Sequence, residues 1–438
     1  MEYFLIILYT IVLLFIIGKW RLFKFDGINP RWFQAVLLIK IGAGVGLYLI
    51  YTKYYTVRAD ADIFKYFDDS TVLYNSFWES PGDFFKMLFG IDCEGEHFRT
   101  TYYDNMFTWF KSFDSDIFNN NRTMIRVNAI MRFFSNGSYH VHALFMSFIS
   151  MIGITLIMKA FRKTISKFKG LSVLLIFLLP STLMWTSGIL KGALLFLWLG
   201  VLIYSFSRIK DRFHWKYLLL ILVSIFFIYT TKYYILIAGA PVAIGALIGL
   251  FYKKLSLIRY GVGVGVCVSA FIITSSASFD YNPTGLIMSK HNNTVQESLK
   301  VKAKSGFDMG IYDLEDPNSS AWMLLKRSPN AFYHTFFEPT PGNITNPMAL
   351  LTFFENIFLL LFLTCCVIFI KKPTDWAMIV GLLVFIITFY VILGWTTSNA
   401  GAIARYKVPA LPLLIILGLE MMGNQKSIAK IKFLNKHL

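Results

Sequence analysis

Three groups of residues in this 438-residue chain carry the charge and hydrogen-bonding capacity that chemistry needs. The first is RADADIFKYFDDS, with Arg58, Asp60, Asp62, Lys65, Tyr66, Asp68 and Asp69 directly after a long apolar block. A carboxylate at the point where a chain leaves a membrane is partly desolvated. Desolvation raises its proton affinity and suits it to taking a proton from an acceptor hydroxyl. Asp60 and Asp62 occupy that point, one as base and the other to orient the acceptor. In an extended turn both can line one cleft, whereas on a helix residues two apart face different ways. The plainer alternative is a solvated loop start with no catalytic role.

The second group is a set of isolated cations. Lys191 is the sole charge between Gly170 and Ser207, Lys232 stands alone in IYTTKYYILIAG, and Arg405 sits beside Lys407 in NAGAIARYKVPALP. A single cation at a helix end ordinarily snorkels to the head groups. Three from separate hairpins at one membrane depth can instead converge on an anion, for which a polyprenyl phosphate or diphosphate is the natural candidate. The third group lies in SPNAFYHTFFEPTPGNITNPMALLTFFENIF. Glu355 falls just inside an apolar block, where a carboxylate needs a partner. Arg405 and Lys326 are available, and structural pairing is its favoured role. His334 and Glu338 lie on the approach, close to Arg327.

Other chemistries are missing. No HExxH, GxxxxGK[ST], CxxC or GxSxG occurs, so no metal site, no cofactor and no soluble nucleotide-binding domain is implied. Cys93, Cys267, Cys365 and Cys366 form no disulfide or metal framework.

The elements that must hold these residues are membrane spans. Hydrophobic residues make up 56% of the chain and charged ones 15%, against roughly 25% charged in a soluble domain. Apolar blocks recur near 3–17, 33–52, 141–160, 171–187, 190–206, 217–231, 234–251, 258–275, 349–370, 376–394 and 408–423. Spanning hydrocarbon takes about 20 apolar residues in a helix. The pattern predicts an all-α polytopic bundle of about eleven spans. Alternate connections are basic, as in Lys159, Arg162, Lys163, Lys167 and Lys169, or Arg208, Lys210, Arg212 and Lys216. Positive residues favour the cytoplasmic side, so the expected orientation is N-terminus out and C-terminus in. The net charge of +17 then reflects topology and contact with anionic lipid, with no nucleic acid as partner. The first block lacks a basic leader and a cleavage site and reads as a retained span.

Along the chain, 1–52 holds two spans, 53–140 a first outer segment, 141–275 a six-span core, 276–348 a second outer segment, 349–423 three spans and 424–438 a basic tail. In the first outer segment, WESPGDFFKMLFG and NNNRTMIRVNAIMRFF have the pattern of interfacial helices. Ile125, Ala129 and Phe133 share one face for the acyl boundary; Arg122, Arg126 and Arg132 lie near another, at the phosphates. Residues 171–206 are too long for one helix, and Pro180, Gly188 and Lys191 predict a tight hairpin turning at the outer surface. Lys40 lies nearer the cytoplasmic end of its block and is expected to snorkel.

This plan of a carboxylate-bearing first outer segment, short hairpins and a late RYKVPALP span resembles the GT-C membrane glycosyltransferases, among them protein mannosyltransferases and aminoarabinose transferases. PSTLMWTSGILKGALLF and the FFEPTPGN…NP…LLTFFEN block are also similar to membrane proteins found with bacterial surface-polysaccharide genes. The resemblance implies a polyprenyl-phosphate-linked sugar donor entering from the membrane and an acid in the first outer segment acting as base. By position that acid is Asp60, with Asp62 second. It also implies that Arg405, with Tyr406 beside it, stands at the donor phosphate; Lys191 and Lys232, read from their isolation, and Arg58 are the further donor-phosphate candidates. Arg126, Arg132, Lys326, Arg327, His334, Glu338 and Glu355 are secondary candidates. The expected function is glycosyl transfer on the outer face of a bacterial inner membrane, with membrane lipids and a lipid-linked sugar or glycan as partners. A surface-polysaccharide polymerase or ligase, which would depend on His334 and Arg327 rather than Asp60, is the alternative. A lipid or glycan transporter, or a non-enzymatic subunit with envelope protein partners, comes after it.

Overall fold

The structure, a computed structural model, describes residues 1–55, 57–58, 61–110, 119–252, 254–276, 282–305, 311–312, 320–344, 346–370 and 375–422. Its elements are helices. In chain order they are α1 (Glu2–Lys19), α2 (Arg31–Leu49), α3 (Asp62–Glu79), α4 (Pro81–Phe89), α5 (Glu96–Thr101), α6 (Asn120–Ser135) and α7 (Tyr139–Ala160). Then come α8 (Arg162–Phe177), α9 (Pro180–Trp185), α10 (Lys191–Asp211), α11 (Trp215–Lys232), α12 (Tyr234–Phe251) and α13 (Ser256–Ser276). The series ends with α14 (Pro283–Ser305), α15 (Ala321–Lys326), α16 (Ser328–Phe337), α17 (Pro347–Ile368), α18 (Trp376–Thr396), α19 (Ala400–Tyr406) and α20 (Leu411–Met422).

Among the described residues, ten stretches are long and apolar enough to cross a bilayer: α1, α2 extended to Tyr54, α7, α10, α11, α12, α13, α17, α18 and the joined run Ala400–Met422. The chain is therefore a multi-pass membrane protein. The apolar block at 171–187 does not form a span-length helix. It is shared between α8, which breaks at Lys169 (φ 45°, ψ −127°), and the six-residue α9. Pro180 has no amide to donate to a continuing helix, so the chain restarts there.

The described residues form two compact units, Met1–Ala160 with Leu183–Lys232, and Phe161–Thr182 with the residues from Tyr233 onward. In the first, α7 is the central post, packed by α1, α2, α6 and α10. The contact between α7 and α10 is backbone on backbone. A Cβ placed on Gly153 would meet Phe196 O at 2.0 Å, and one on Gly200 would meet Gly153 O at 2.1 Å. Small residues permit this approach where lipid offers no hydrophobic drive for association. Trp198 stacks on Phe227 at 4.2 Å to add α11. In the second unit α18 is central, packed by α12, α13, α14, α16 and α20. Glu420 on α20 is buried but accepts from Thr164 Oγ1 at 2.7 Å, with Lys167 Nζ at 3.6 Å.

The helices expected in the membrane interface form, with a different face outward. Ile125 and Ala129 of α6 are fully buried, while Ile130, Phe133 and Phe134 are exposed beside Trp78, Phe85 and Phe89. Phe133 gathers Tyr74, Phe77, Trp78 and Phe84 into one aromatic cluster. Tyr9 of α1 donates to Phe134 O at 2.8 Å, and Glu2 accepts from Ser138 at 2.7 Å. Seven residues of helix separate Glu2 from Tyr9, so Phe134 lies alongside α1 about 10 Å from its start.

Candidate functional site

In the first unit, the ends of four helices meet around Lys191. Residue Leu190 is extended, so α10 begins at Lys191 and its side chain leaves the helix at the first turn. The Lys191 ammonium donates to Asn120 Oδ1 and Asn121 Oδ1, both at 2.6 Å, and sits 5.1 Å from the Tyr66 ring centroid. Tyr66 donates to Asn121 Oδ1 at 3.3 Å. Asn120 in turn donates to Thr231 O at 3.0 Å, and Thr123 to Thr230 O at 3.3 Å. These bonds tie the start of α6 to the end of α11, next to Lys232. Asp62 opens α3, is half-buried, and lies one turn before Tyr66, so the two share a helix face. Of the predicted residues, Asp62, Lys191 and Lys232 thus stand on elements that come together. Asp60 lies outside the described residues.

The neighbouring charges are committed elsewhere. Arg58 makes a two-point contact with Asp68, at 2.7 and 2.9 Å, and stacks 4.2 Å from the Phe64 ring. Asp69 is buried and accepts from Phe107 N and Thr108 N at 2.8 Å each and from Thr108 Oγ1 at 2.6 Å. Burial pushes its carboxyl above the ordinary range, partly offset by those donors. Arg122 pairs with Glu94 and lies 4.9 Å from the Trp109 ring. Arg126 donates to Met87 O at 2.8 Å. Arg132 turns inward, donating to Ser70 Oγ at 2.8 Å and Phe67 O at 2.6 Å. The last two fasten α6 to α3 and α4.

One arrangement has the bond order of a nucleophile, base and orienting group. Ser135 Oγ lies 2.7 Å from His142 Nε2, and His142 Nδ1 lies 2.8 Å from Asn128 Oδ1. All three are fully buried, Asn128 also donates to Met124 O, and Ser135 also accepts from Gly137 N. With no exposed atom among the three, the set is a pin between α6 and α7.

In the second unit Glu355 is 2% exposed and accepts from Ser181 N at 2.6 Å through Oε2. Its Oε1 is buried and has no hydrogen-bond partner among the described residues. Neither Arg405 nor Lys326 bonds to it. Lys326 is exposed over Trp322, and Arg405 lies 5.1 Å from the Tyr406 ring and donates to its hydroxyl at 3.2 Å. Lys407, 1% exposed, is a cation within electrostatic reach of Glu355, and its ammonium donates to Asn356 Oδ1 at 2.6 Å. Asn356 donates to Glu338 O at 2.8 Å and Phe337 O at 3.3 Å. His334 stacks on Tyr312 with ring centroids 3.6 Å apart. Its Nδ1 is 2.7 Å from Glu338 Oε1, outside hydrogen-bond alignment. Arg327 is half-buried at the junction of α15 and α16.

Asn120, Asn121, Asn356 and Ser181 carry polar contacts that the sequence did not single out, and Lys407, noted there only as a neighbour of Arg405, carries another. The signal for the first two was the Asn run at the head of an amphipathic helix; for Asn356 and Lys407 it was adjacency to Glu355 and Arg405. Among the described residues no group of three or more His, Cys, Asp or Glu is placed to hold a metal ion. The chain matches no protein-family model, no curated protein and no solved structure.

Proposed function

We propose that the chain is a glycosyltransferase of a bacterial cytoplasmic membrane, moving a sugar from a polyprenyl-phosphate-linked donor to an acceptor hydroxyl on the outer face. The observation that carries this reading is the Lys191 ammonium, anchored by two carboxamide oxygens and the Tyr66 ring, one helical turn of α3 from Asp62. Asp62 takes the acceptor proton as the acceptor oxygen attacks the anomeric carbon. The bond from that carbon to the phosphate oxygen breaks, and Lys191 and Lys232 stabilise the departing phosphate. A fixed cation aimed at developing charge costs no reorganisation during the reaction. Asp60 is the second carboxylate of the pair. The exposed aromatic face of α4 and α6 offers the polyprenyl chain an apolar approach to this end of the unit.

The test is turnover of a panel of polyprenyl-phosphate and -diphosphate sugars by the purified chain in nanodiscs. Asp62→Asn is expected to lower turnover by about 10²–10⁴-fold, the usual contribution of a positioned general base. Donor binding should stay intact in that variant and weaken in Lys191→Met. Full activity in both variants sinks the reading. A polymerase or ligase is the second reading, favoured by the placement of His334 against Tyr312 and Glu338. It predicts that His334→Gln abolishes activity while Asp62→Asn does not.

A further inference from the structure

The break between α9 and α10 raises a question of hydrogen bonding. Thr186, Ser187, Gly188, Ile189 and Leu190 are not helical, yet Thr186 and Ser187 are fully buried and lie against the span α2. Carbonyls released from a helix within a membrane have no water to turn to and must be satisfied by protein. Thr186 O accepts from Lys40 Nζ at 3.2 Å and from Ser150 Oγ at 3.0 Å. Lys40 Nζ also donates to Thr186 Oγ1 at 2.5 Å, and Ser147 Oγ donates to Ser187 O at 3.3 Å. Lys40 is 1% exposed. It does not snorkel; its stem and ammonium point at the break.

The receiving face of α2 is built for this. Lys40, Gly44 and Leu47 are spaced i, i+4, i+7 and line one stripe. A Cβ on Gly44 would lie 2.5 Å from Ser187 O, so only glycine admits that carbonyl. One on Gly188 would lie 2.6 Å from Leu47 Cδ2. Among the described residues no carboxylate bonds Lys40. Its partners are one carbonyl and one hydroxyl, the donor set that unwound membrane helices offer to a monovalent cation.

We infer that Lys40 is a tethered cation that holds this break and thereby positions Lys191. The inference rests on the transferase reading only for what Lys191 does, not for how it is held. α10 starts five residues after Thr186, and the bearing of its first residue depends on where the break is pinned. With Thr186 O fixed from α2 and α7, the Lys191 ammonium falls between Asn120 and Asn121. Without Lys40 the break loses its tie to α2 and keeps the Ser150 bond from α7; the start of α10 shifts, and Lys191 leaves its carboxamide partners. The site that Lys40 vacates keeps its oxygen ligands and accepts a small free cation such as methylammonium, Na⁺ or K⁺.

The experiment uses the full chain in nanodiscs and needs no substrate. The rate of Lys191 acylation by a membrane-impermeant N-hydroxysuccinimide ester is followed by peptide mass spectrometry in wild type, Lys40→Met and Lys40→Ala. Lys40→Met is expected to accelerate acylation by about 10-fold or more, the effect of losing one charged hydrogen bond. Methylammonium, Na⁺ or K⁺ should slow it again in Lys40→Ala but not in wild type. Unchanged acylation in Lys40→Met, or no cation effect in Lys40→Ala, overturns the inference. If neither variant folds, Ser150→Ala, which removes the second donor to the same carbonyl, takes over: faster acylation supports the inference and an unchanged rate overturns it. Polyprenyl phosphate binding that survives Lys191→Met sinks the transferase reading and leaves the acylation result standing.

Discussion

Removing the Asp69 carboxylate should open the segment around Cys93 without touching the proposed transfer step. Asp69 is 1% exposed and holds two backbone amides and a hydroxyl from Phe107 and Thr108. Asparagine at this position offers one oxygen, and its amide group faces donors. At least one buried N–H loses its acceptor, at a cost of about 1–3 kcal/mol, on top of the loss of charge-assisted bonds. A local penalty of about 2–3 kcal/mol shifts the opening equilibrium about 30- to 150-fold. Cys93 reports on that opening. It is 1% exposed, its carbonyl accepts from Tyr103 at 2.6 Å, and Tyr103 stacks 4.4 Å from Trp109, the residue after Thr108. The assay is maleimide labelling of the Cys93 peptide at constant pH, wild type against Asp69→Asn. Labelling should accelerate by that factor. If the rate is unchanged while sugar transfer is lost, Asp69 is a proton acceptor and not a staple, and the division of labour among the four aspartates drawn above is wrong.

Two further perturbations separate structural charges from working ones. Glu355→Gln should lower stability by about 1–3 kcal/mol, because the buried Ser181 N–H loses its charged acceptor, and buried Lys407 loses a nearby negative charge as well. Adding Lys407→Met should recover part of that loss, and a double variant as unstable as the sum of the singles would refute the coupling. Asp83 accepts from His97 at 2.9 Å and from Tyr102 at 3.1 Å, and the His97 bond first of all holds its carboxyl below the ordinary range. Its stabilising effect is therefore present at neutral pH and lost as pH falls below about 4. Hydrogen exchange across α4 and α5 should rise on acidification in wild type and be already raised, with a flatter pH profile, in Asp83→Asn.

Spans were legible because hydrocarbon imposes one requirement on every segment that crosses it, and runs such as that of α18 meet it with no charge at all. The block at 171–187 is not one span for a local reason: its apolar residues are divided between α8 and α9 where the chain restarts at Pro180, and composition does not register a break in backbone direction. Charges were harder. DD at 68–69 looks uniform in sequence, yet one carboxylate is spent on Arg58 and the other on a loop about 40 residues away. A carboxylate at the depth of Glu355 needs a donor, and that donor is the backbone of Ser181, which no side-chain inventory contains. Lys40 sits near the middle of its helix, where snorkelling and inward bonding look alike until the opposing break is known. Lys191 was singled out by its isolation; its carboxamide partners, about 70 residues distant, were fixed only by the packing of α6 on α11.

Where Gly153 and Gly200 bring two backbones together, no side chain is left between them to act as a bearing. Sliding α7 past α10 would drive carbonyl oxygens over α-carbons, so the pair moves as a single strut. Lys191 is the tip of that strut. Under the proposed function, a donor arriving there meets a charge carried on that strut, and adjustment falls to the loops and helices of residues 61–110, which carry no comparable joint among the described residues.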